Sequence, residues 1–506
     1  MLVNLLKYFL LLFVCLILYY IFPKKARWII LLTCSLLYYY LLSGNLILPI
    51  IASAFSIYLG GISINIINNR KLDVDDKELK RKFKNKNKRL KKIILLMVLL
   101  INIGMLIYLK YYNFILLSIK DIFDIKNISL KEIILPLGIS YYTLMAISYI
   151  TDIYRSKYKA INNPFKVLLY LIFFPSVQEG PIHRFDEVSS KLYEGNKFNY
   201  NNICVGILLI LWGLLKKMVI ADRIGIYVNN TFGVSTGIVS LLSIILYTIQ
   251  LYAEFSGFID MAIGGAKLFG IDLPANFKRP FFSKSVEEFW RRWHITLGTF
   301  LKDYVFYPIS LSKLSMKLSK FNNKHFSKYL SKFLTSAFPL FFVWFLNGLW
   351  HGASSKYIIY GLYYYVIMMI GLLIEPLFSK INTNKKWLNI VKIIRTWIFV
   401  VIGMTIFRAT SINEALNVIK SIFYISSDNI LNFGLTDIDF IIILIFVLVL
   451  FFIGLIEEKG KNVSSNIVNG SPQKKYFVYY ILIMLIIIFG IYGPGYNASD
   501  FIYGQF

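Results

Sequence analysis

Two histidines of this 506-residue chain stand where a proton-accepting group has chemical use. His351 lies in the apolar run Asn347-Gly348-Leu349-Trp350-His351-Gly352, and His294 closes the charged stretch Glu287-Glu288-Phe289-Trp290-Arg291-Arg292-Trp293-His294. The whole chain has four histidines. An ionisable side chain at membrane depth is costly and by default marks a substrate or proton path. Imidazole accepts and returns a proton near neutral pH, which is the work of a general base. Asn347 precedes His351 by one helical turn, so both are expected on one face, turned into a helix bundle rather than into lipid. Gly348 and Gly352 leave room there for close backbone approach or for a substrate. The alternative is a structural histidine satisfied by a neighbouring helix.

The stretch around His294 reads as a short helix. Ser285 with Glu288 three residues later is a capping-box signature that starts a helix at Val286. Glu287→Arg291 and Glu288→Arg292 are i,i+4 pairs in the favourable order, and Trp290 and His294 at the same spacing are expected to share a face. So charged and aromatic a helix does not span lipid; it lies at the interface or lines a cavity. Its tryptophans are otherwise headgroup anchors.

Other polar positions carry weaker signals. Glu254 and Asp260 either orient a histidine or pair with Arg and Lys between helices. Asp152 and Arg155 suggest a structural pair. In Gln178-Glu179-Gly180-Pro181-Ile182-His183-Arg184-Phe185, Gly-Pro predicts a helix break at a cavity mouth, with His183 as a proton carrier or an incidental loop residue. Lys313, Lys317, Lys320, Lys324, His325, Lys328 and Lys332 form a basic stretch. It is a solvated face or a receiver for an anionic donor or acidic partner.

The elements that must hold these residues are apolar helices. Hydrophobic residues make up 57% of the chain and charged residues 16%, with mean hydropathy +0.62. That composition predicts an all-α polytopic membrane protein. A spanning helix needs roughly 20 apolar residues, and about a dozen such stretches are visible. They fall near 5–22, 28–43, 46–64, 93–118, 133–150, 165–177, 203–220, 237–270, 335–350, 357–379, 392–409, 437–456 and 476–493. Region 1–120 holds simple spans and a basic loop; 133–352 has shorter runs broken by Pro and Gly, as expected around a site. Ordinary spans return over 357–506, and the whole is read as one membrane domain.

The net charge of +28 does not point to nucleic acid, because the basic residues lie between apolar segments. From Arg70 to Lys92 there are twelve basic and four acidic residues. That segment is expected in the cytoplasm and near anionic lipid. With a hairpin turning near Ser43-Gly44, the N-terminus would lie outside. Cys15, Cys34 and Cys204 form no CxxC pair and no metal spacing. No Walker A and no dinucleotide fingerprint is present.

Six blocks in this order resemble the membrane-bound O-acyltransferase (MBOAT) family. They are Leu135-Pro136-Leu137-Gly138-Ile139-Ser140-Tyr141-Tyr142, Gly180–Phe185, Glu254–Gly264, Asn276-Phe277-Lys278-Arg279-Pro280-Phe281, Phe289–His294 and Leu349-Trp350-His351-Gly352. The resemblance is greatest to the branch of the bacterial alginate O-acetyltransferase membrane subunit, whose aromatic C-terminal tail is similar to Phe501–Phe506. It departs at Glu254, where an Asp is common, at Ile259, and at His183. The resemblance implies about 11–13 transmembrane or re-entrant helices around a central funnel. It implies His351 as the catalytic histidine and His294 as its partner; Asn347, Trp350, Arg291, Glu254, Asp260 and His183 are the candidates for orienting the substrate. It also implies no permanently bound cofactor and no metal. The donor would be acetyl-CoA or another acyl thioester, and the acceptor a cell-surface or exported polysaccharide, in a bacterial cell membrane. An extracytoplasmic SGNH-type partner would complete the transfer. Two alternatives stay open: D-alanyl transfer from a carrier protein to teichoic acid, and a transporter or flippase whose histidines relay protons, which an inverted repeat would favour.

Overall fold

The computed structural model describes residues 2–70, 76–125, 129–379, 386–425, 430–431 and 433–492. The tail Phe501–Phe506 lies outside the described residues. Helix dominates, and among the described residues strand-like pairing is confined to an isolated antiparallel bridge between Phe277 and Trp293. Nine described helical segments are long and apolar enough to cross a membrane. This is an all-α polytopic membrane protein. The spans number fewer than the apolar stretches for three reasons, the first being that the stretch near 5–22 supplies only the shorter apolar helix Leu5–Ile21 among the described residues. Stretches 28–43 and 46–64 join into one helical segment, Lys24–Asn68, and 133–150 and 165–177 form helices of 16 and 9 residues, too short to cross.

The chain divides into two compact units. One comprises Leu2–Gly206 with Ala262–Pro274. Its helices include Leu2–Ile21, Arg27–Ser43, Leu48–Asn68, Ile139–Tyr154 and Pro164–Ile172. At the expected Ser43-Gly44 position the helix Arg27–Ser43 gives way to the short 3₁₀ helix Gly44–Ile47, with Gly44 at φ 52°, a conformation that glycine adopts without steric cost. The basic segment differs from expectation. From Lys77 onward it is not a loop but the first turns of helix Lys77–Leu106, opened by the Asp76 carboxylate accepting the Glu78 N–H at 2.7 Å. A good N-cap followed by strong helix formers without Gly or Pro explains it. Asp152 pairs with Lys157 at 3.5 Å, because the helix ends at Tyr154 and the chain turns back at Lys157.

The other unit comprises Ile207–Met261 and Ala275–Phe506. Within it, helices Tyr200–Leu215 and Gly237–Leu268 pass in backbone contact, since a Cβ on Gly213 would lie 2.4 Å from the Gly257 carbonyl oxygen. Helices Lys328–His351 and Ser355–Ser379 are as close: a Cβ on Gly348 would sit 2.2 Å from the Tyr357 carbonyl oxygen. Small residues at crossings allow this approach where lipid supplies no hydrophobic drive between helices.

Candidate active site

Helix Lys328–His351 starts at Ser327, whose hydroxyl accepts the Leu330 N–H at 3.3 Å, and ends at extended Gly352. Asn347 and His351 are buried one turn apart on it, as their spacing predicts. Asn347 Oδ1 is buried with no hydrogen-bond partner among the described residues. The His351 ring meets Tyr360 at 5.7 Å and Phe407 at 5.2 Å, both edge-on. The space beside Gly348 and Gly352 is not left for a substrate. The Tyr357 backbone fills the first and its ring the second, where a Cβ would come within 2.3 Å of Cε2.

His294 departs from the sequence reading. The charged helix begins at Val286 as expected, with Ser285 accepting the Glu288 N–H at 3.1 Å. The Glu288 carboxylate returns to the Lys284 N–H at 2.8 Å instead of to Ser285. The helix then stops at Arg292; Trp293 is extended and His294 left-handed, at φ 48°. Trp290 and His294 therefore share no helical face. Tertiary pairing overrides local propensity here: Phe277 bridges to Trp293, the Lys278 N–H donates to the Arg292 carbonyl at 2.9 Å and the Ile295 N–H to the Asn276 carbonyl at 3.0 Å. Nor are the tryptophans headgroup anchors. Trp293 is fully buried against Phe277 and Phe289, and Trp290 packs edge-on to Trp344 and Tyr364.

The left-handed turn buries the His294 imidazole. Its Nδ1 lies 3.2 Å from Asn276 Oδ1, an oxygen that also accepts the Thr296 N–H and hydroxyl at 3.0 Å each. Its Nε2 is buried with no partner among the described residues. Burial pushes its pKa down to about 3. Phe255 packs edge-on at 4.9 Å. The Trp350 indole contacts both imidazoles, with centroids 5.3 Å from His294 and 5.1 Å from His351. The site therefore holds two buried imidazoles against one indole, in aromatic surroundings.

Glu254 and Asp260 are occupied by lysines. Lys217 contacts Glu254 at 2.7 Å and Asp222 at 2.8 Å, and Lys216 contacts Asp260 at 2.7 Å and Ser256 at 2.8 Å. Arg291 is 69% exposed and salt-bridged to Glu287, on the open side of its helix. His183 belongs to the other unit, where it is buried rather than at a cavity mouth. Its Nδ1 lies 3.2 Å from the Pro181 carbonyl, its Nε2 has no partner among the described residues, and burial lowers its pKa to about 4. Sequence reasoning passed over Lys216, Lys217 and Asn276. Two lysines inside the apolar run 203–220 were the available signal for the first two.

A model of the membrane-bound O-acyltransferase family matches residues 157–413, which contain both imidazoles. The chain is 33% identical over 333 residues to a probable alginate O-acetylase of Pseudomonas putida, covering 64% of this chain and 63% of that one. It is 30% identical over 362 residues to a peptidoglycan O-acetyltransferase of Helicobacter pylori, covering 65% and 64%. The match thus spans less than two thirds of either relative's length. A teichoic acid D-alanyltransferase of Bacillus subtilis is 31% identical over 282 residues, covering 54% of this chain and 68% of that one. The chain belongs to the membrane-bound O-acyltransferase family.

Proposed function

We propose that this protein is an O-acyltransferase that takes acetyl from acetyl-CoA for O-acetylation of a cell-surface or exported polysaccharide. An extracytoplasmic SGNH-type protein is the proposed partner. The observation that carries the reading is His351, buried one turn from Asn347 and edge-on to the indole that also meets His294. In the proposed reaction an imidazole nitrogen of His351 takes the proton of the acceptor hydroxyl. That oxygen attacks the thioester carbonyl, the C–O bond forms, the C–S bond breaks, and the proton passes to the departing thiolate. The aromatic shell of Trp350, Tyr360 and Phe407 limits water that would hydrolyse the thioester.

The test is incubation of the purified protein and its His351→Ala variant with radiolabelled acetyl-CoA. Histidine-dependent thioester consumption supports the reading. Consumption equal in both forms overturns the role of His351. A second reading, D-alanyl transfer from a carrier protein to teichoic acid, draws on the exposed lysines of helix Lys313–His325 as a face for an acidic carrier. Turnover with the loaded carrier and none with acetyl-CoA would favour it.

A further inference from the structure

We infer that Asn276 is a positioning residue that fixes His294 as the tautomer protonated on Nδ1, so that His294 offers the acyl acceptor a lone pair on Nε2. The inference rests on the acyl-transfer reading above, and it decides among roles that reading leaves open.

One oxygen fixes the tautomer. A backbone N–H can only donate, so the Asn276 side-chain atom 3.0 Å from the Thr296 N–H is the amide oxygen and not the nitrogen. That oxygen accepts only. The His294 Nδ1 at 3.2 Å from it must then carry the proton, and the lone pair falls to Nε2. The amide oxygen has a second donor and the Asn276 backbone is pinned, while the amide nitrogen is buried with no hydrogen-bond partner among the described residues. Thr296 Oγ1 donates to the same oxygen at 3.0 Å, and the Ile295 N–H donates to the Asn276 main-chain carbonyl at 3.0 Å. Asn276 itself is fully buried. Phe255 and Trp350 pack edge-on against the imidazole, which restricts ring rotation.

Nε2 is buried and without a partner among the described residues, where an unmade hydrogen bond is costly. A substrate O–H satisfies it. The proton on Nδ1 is already engaged, so His294 does not donate to a developing oxyanion. That task falls to Asn347 or to backbone N–H groups. His294 instead orients an O–H of the acceptor while His351 receives the reacting proton.

The tautomer is readable without turnover. Full-length protein labelled with 15N-histidine in lipid bilayers holds four histidines, and His294→Gln identifies the signal of His294 by its loss. A protonated Nδ1 and an unprotonated Nε2 are expected in the wild type and in Asn276→Asp, whose carboxylate still accepts. Asn276→Ala should shift the proton toward Nε2. In acetyl-CoA turnover, Asn276→Ala should lower kcat at least about tenfold with little change in KM, and Asn276→Asp should restore it. A wild-type Nε2–H signal overturns the proposal, as does an Asn276→Ala spectrum identical to wild type. Wild-type kcat in Asn276→Ala despite a changed tautomer overturns it too. If the wild type consumes no acetyl-CoA, the acetyl-donor reading falls while the spectrum still settles the tautomer.

Discussion

Gly348 and Gly361 meet backbone to backbone: a Cβ on Gly361 would lie 3.2 Å from the Gly348 Cα and 2.2 Å from the Trp344 carbonyl oxygen. The crossing sits one turn before His351, so it sets how deeply the imidazole reaches between Tyr360 and Phe407. Gly348→Ala must push the two helices apart against the Tyr357 carbonyl. A stability loss of about 1–3 kcal/mol is expected, with a larger relative loss of turnover than of thioester binding. Thermal unfolding in detergent beside acetyl-CoA kinetics checks it. An unchanged melting temperature would contradict the packing argument.

His351 and Asn347 should separate by role. Under the base assignment, His351→Ala lowers kcat by about 10²–10⁴ while the protein still elutes as a folded species. Asn347→Ala should cost less. Steady-state kinetics on both variants tests the order, and the reverse ranking would remove His351 from the base role.

Acid should weaken the fold through two histidines. Burial holds His294 near 3 and His183 near 4, both below the ordinary 6.5. Below pH 6.5 the unfolded chain takes up protons that the folded chain refuses, so stability falls with pH down to the folded-state values and levels off beneath them. A loss on the order of a few kcal/mol between pH 7 and 4 is expected. Melting temperatures across that range should fall less steeply in His183→Gln than in the wild type. Parallel curves would show that His183 takes no part.

Lys217 touches both Glu254 and Asp222. Lys217→Met leaves two buried carboxylates without it, at a cost of about 3–5 kcal/mol. Replacing all three charges, with Glu254→Gln and Asp222→Asn added, should recover much of the loss. Yield of folded, monodisperse protein in detergent is the readout, and equal yields for the single and triple variants would refute the pairing argument.

What the sequence made legible was local. The Ser285 cap, the Glu288–Arg292 pair and the Asn347–His351 face all follow from helical spacing, and each is present. His294 was misplaced because nothing in Arg292-Trp293-His294 breaks a helix. The break comes from Phe277 and Asn276, distant in sequence and brought alongside by the fold. The role of Glu254 was undecidable from spacing, since its partner depends on how closely Gly213 and Gly257 let two helices approach. Asn276 carried no signal of its own: an asparagine becomes a tautomer-setting group only when a histidine ring is delivered to it.

The Lys217–Glu254 contact also constrains how the chain is made. Segments Tyr200–Thr231 and Gly237–Leu268 are joined by residues 232–236. Entering lipid alone, the first would carry Lys216 without Asp260 and the second Glu254 and Asp260 without their lysines, at about 2.5–3.5 kcal/mol per lysine or aspartate near mid-bilayer, whereas Lys217 keeps Asp222 within its own segment. Leaving the insertion machinery together, they carry a neutralised contact instead. Biosynthesis thus favours releasing these two segments as one hairpin, and the helix that bears Glu254 reaches lipid already bound to its neighbour.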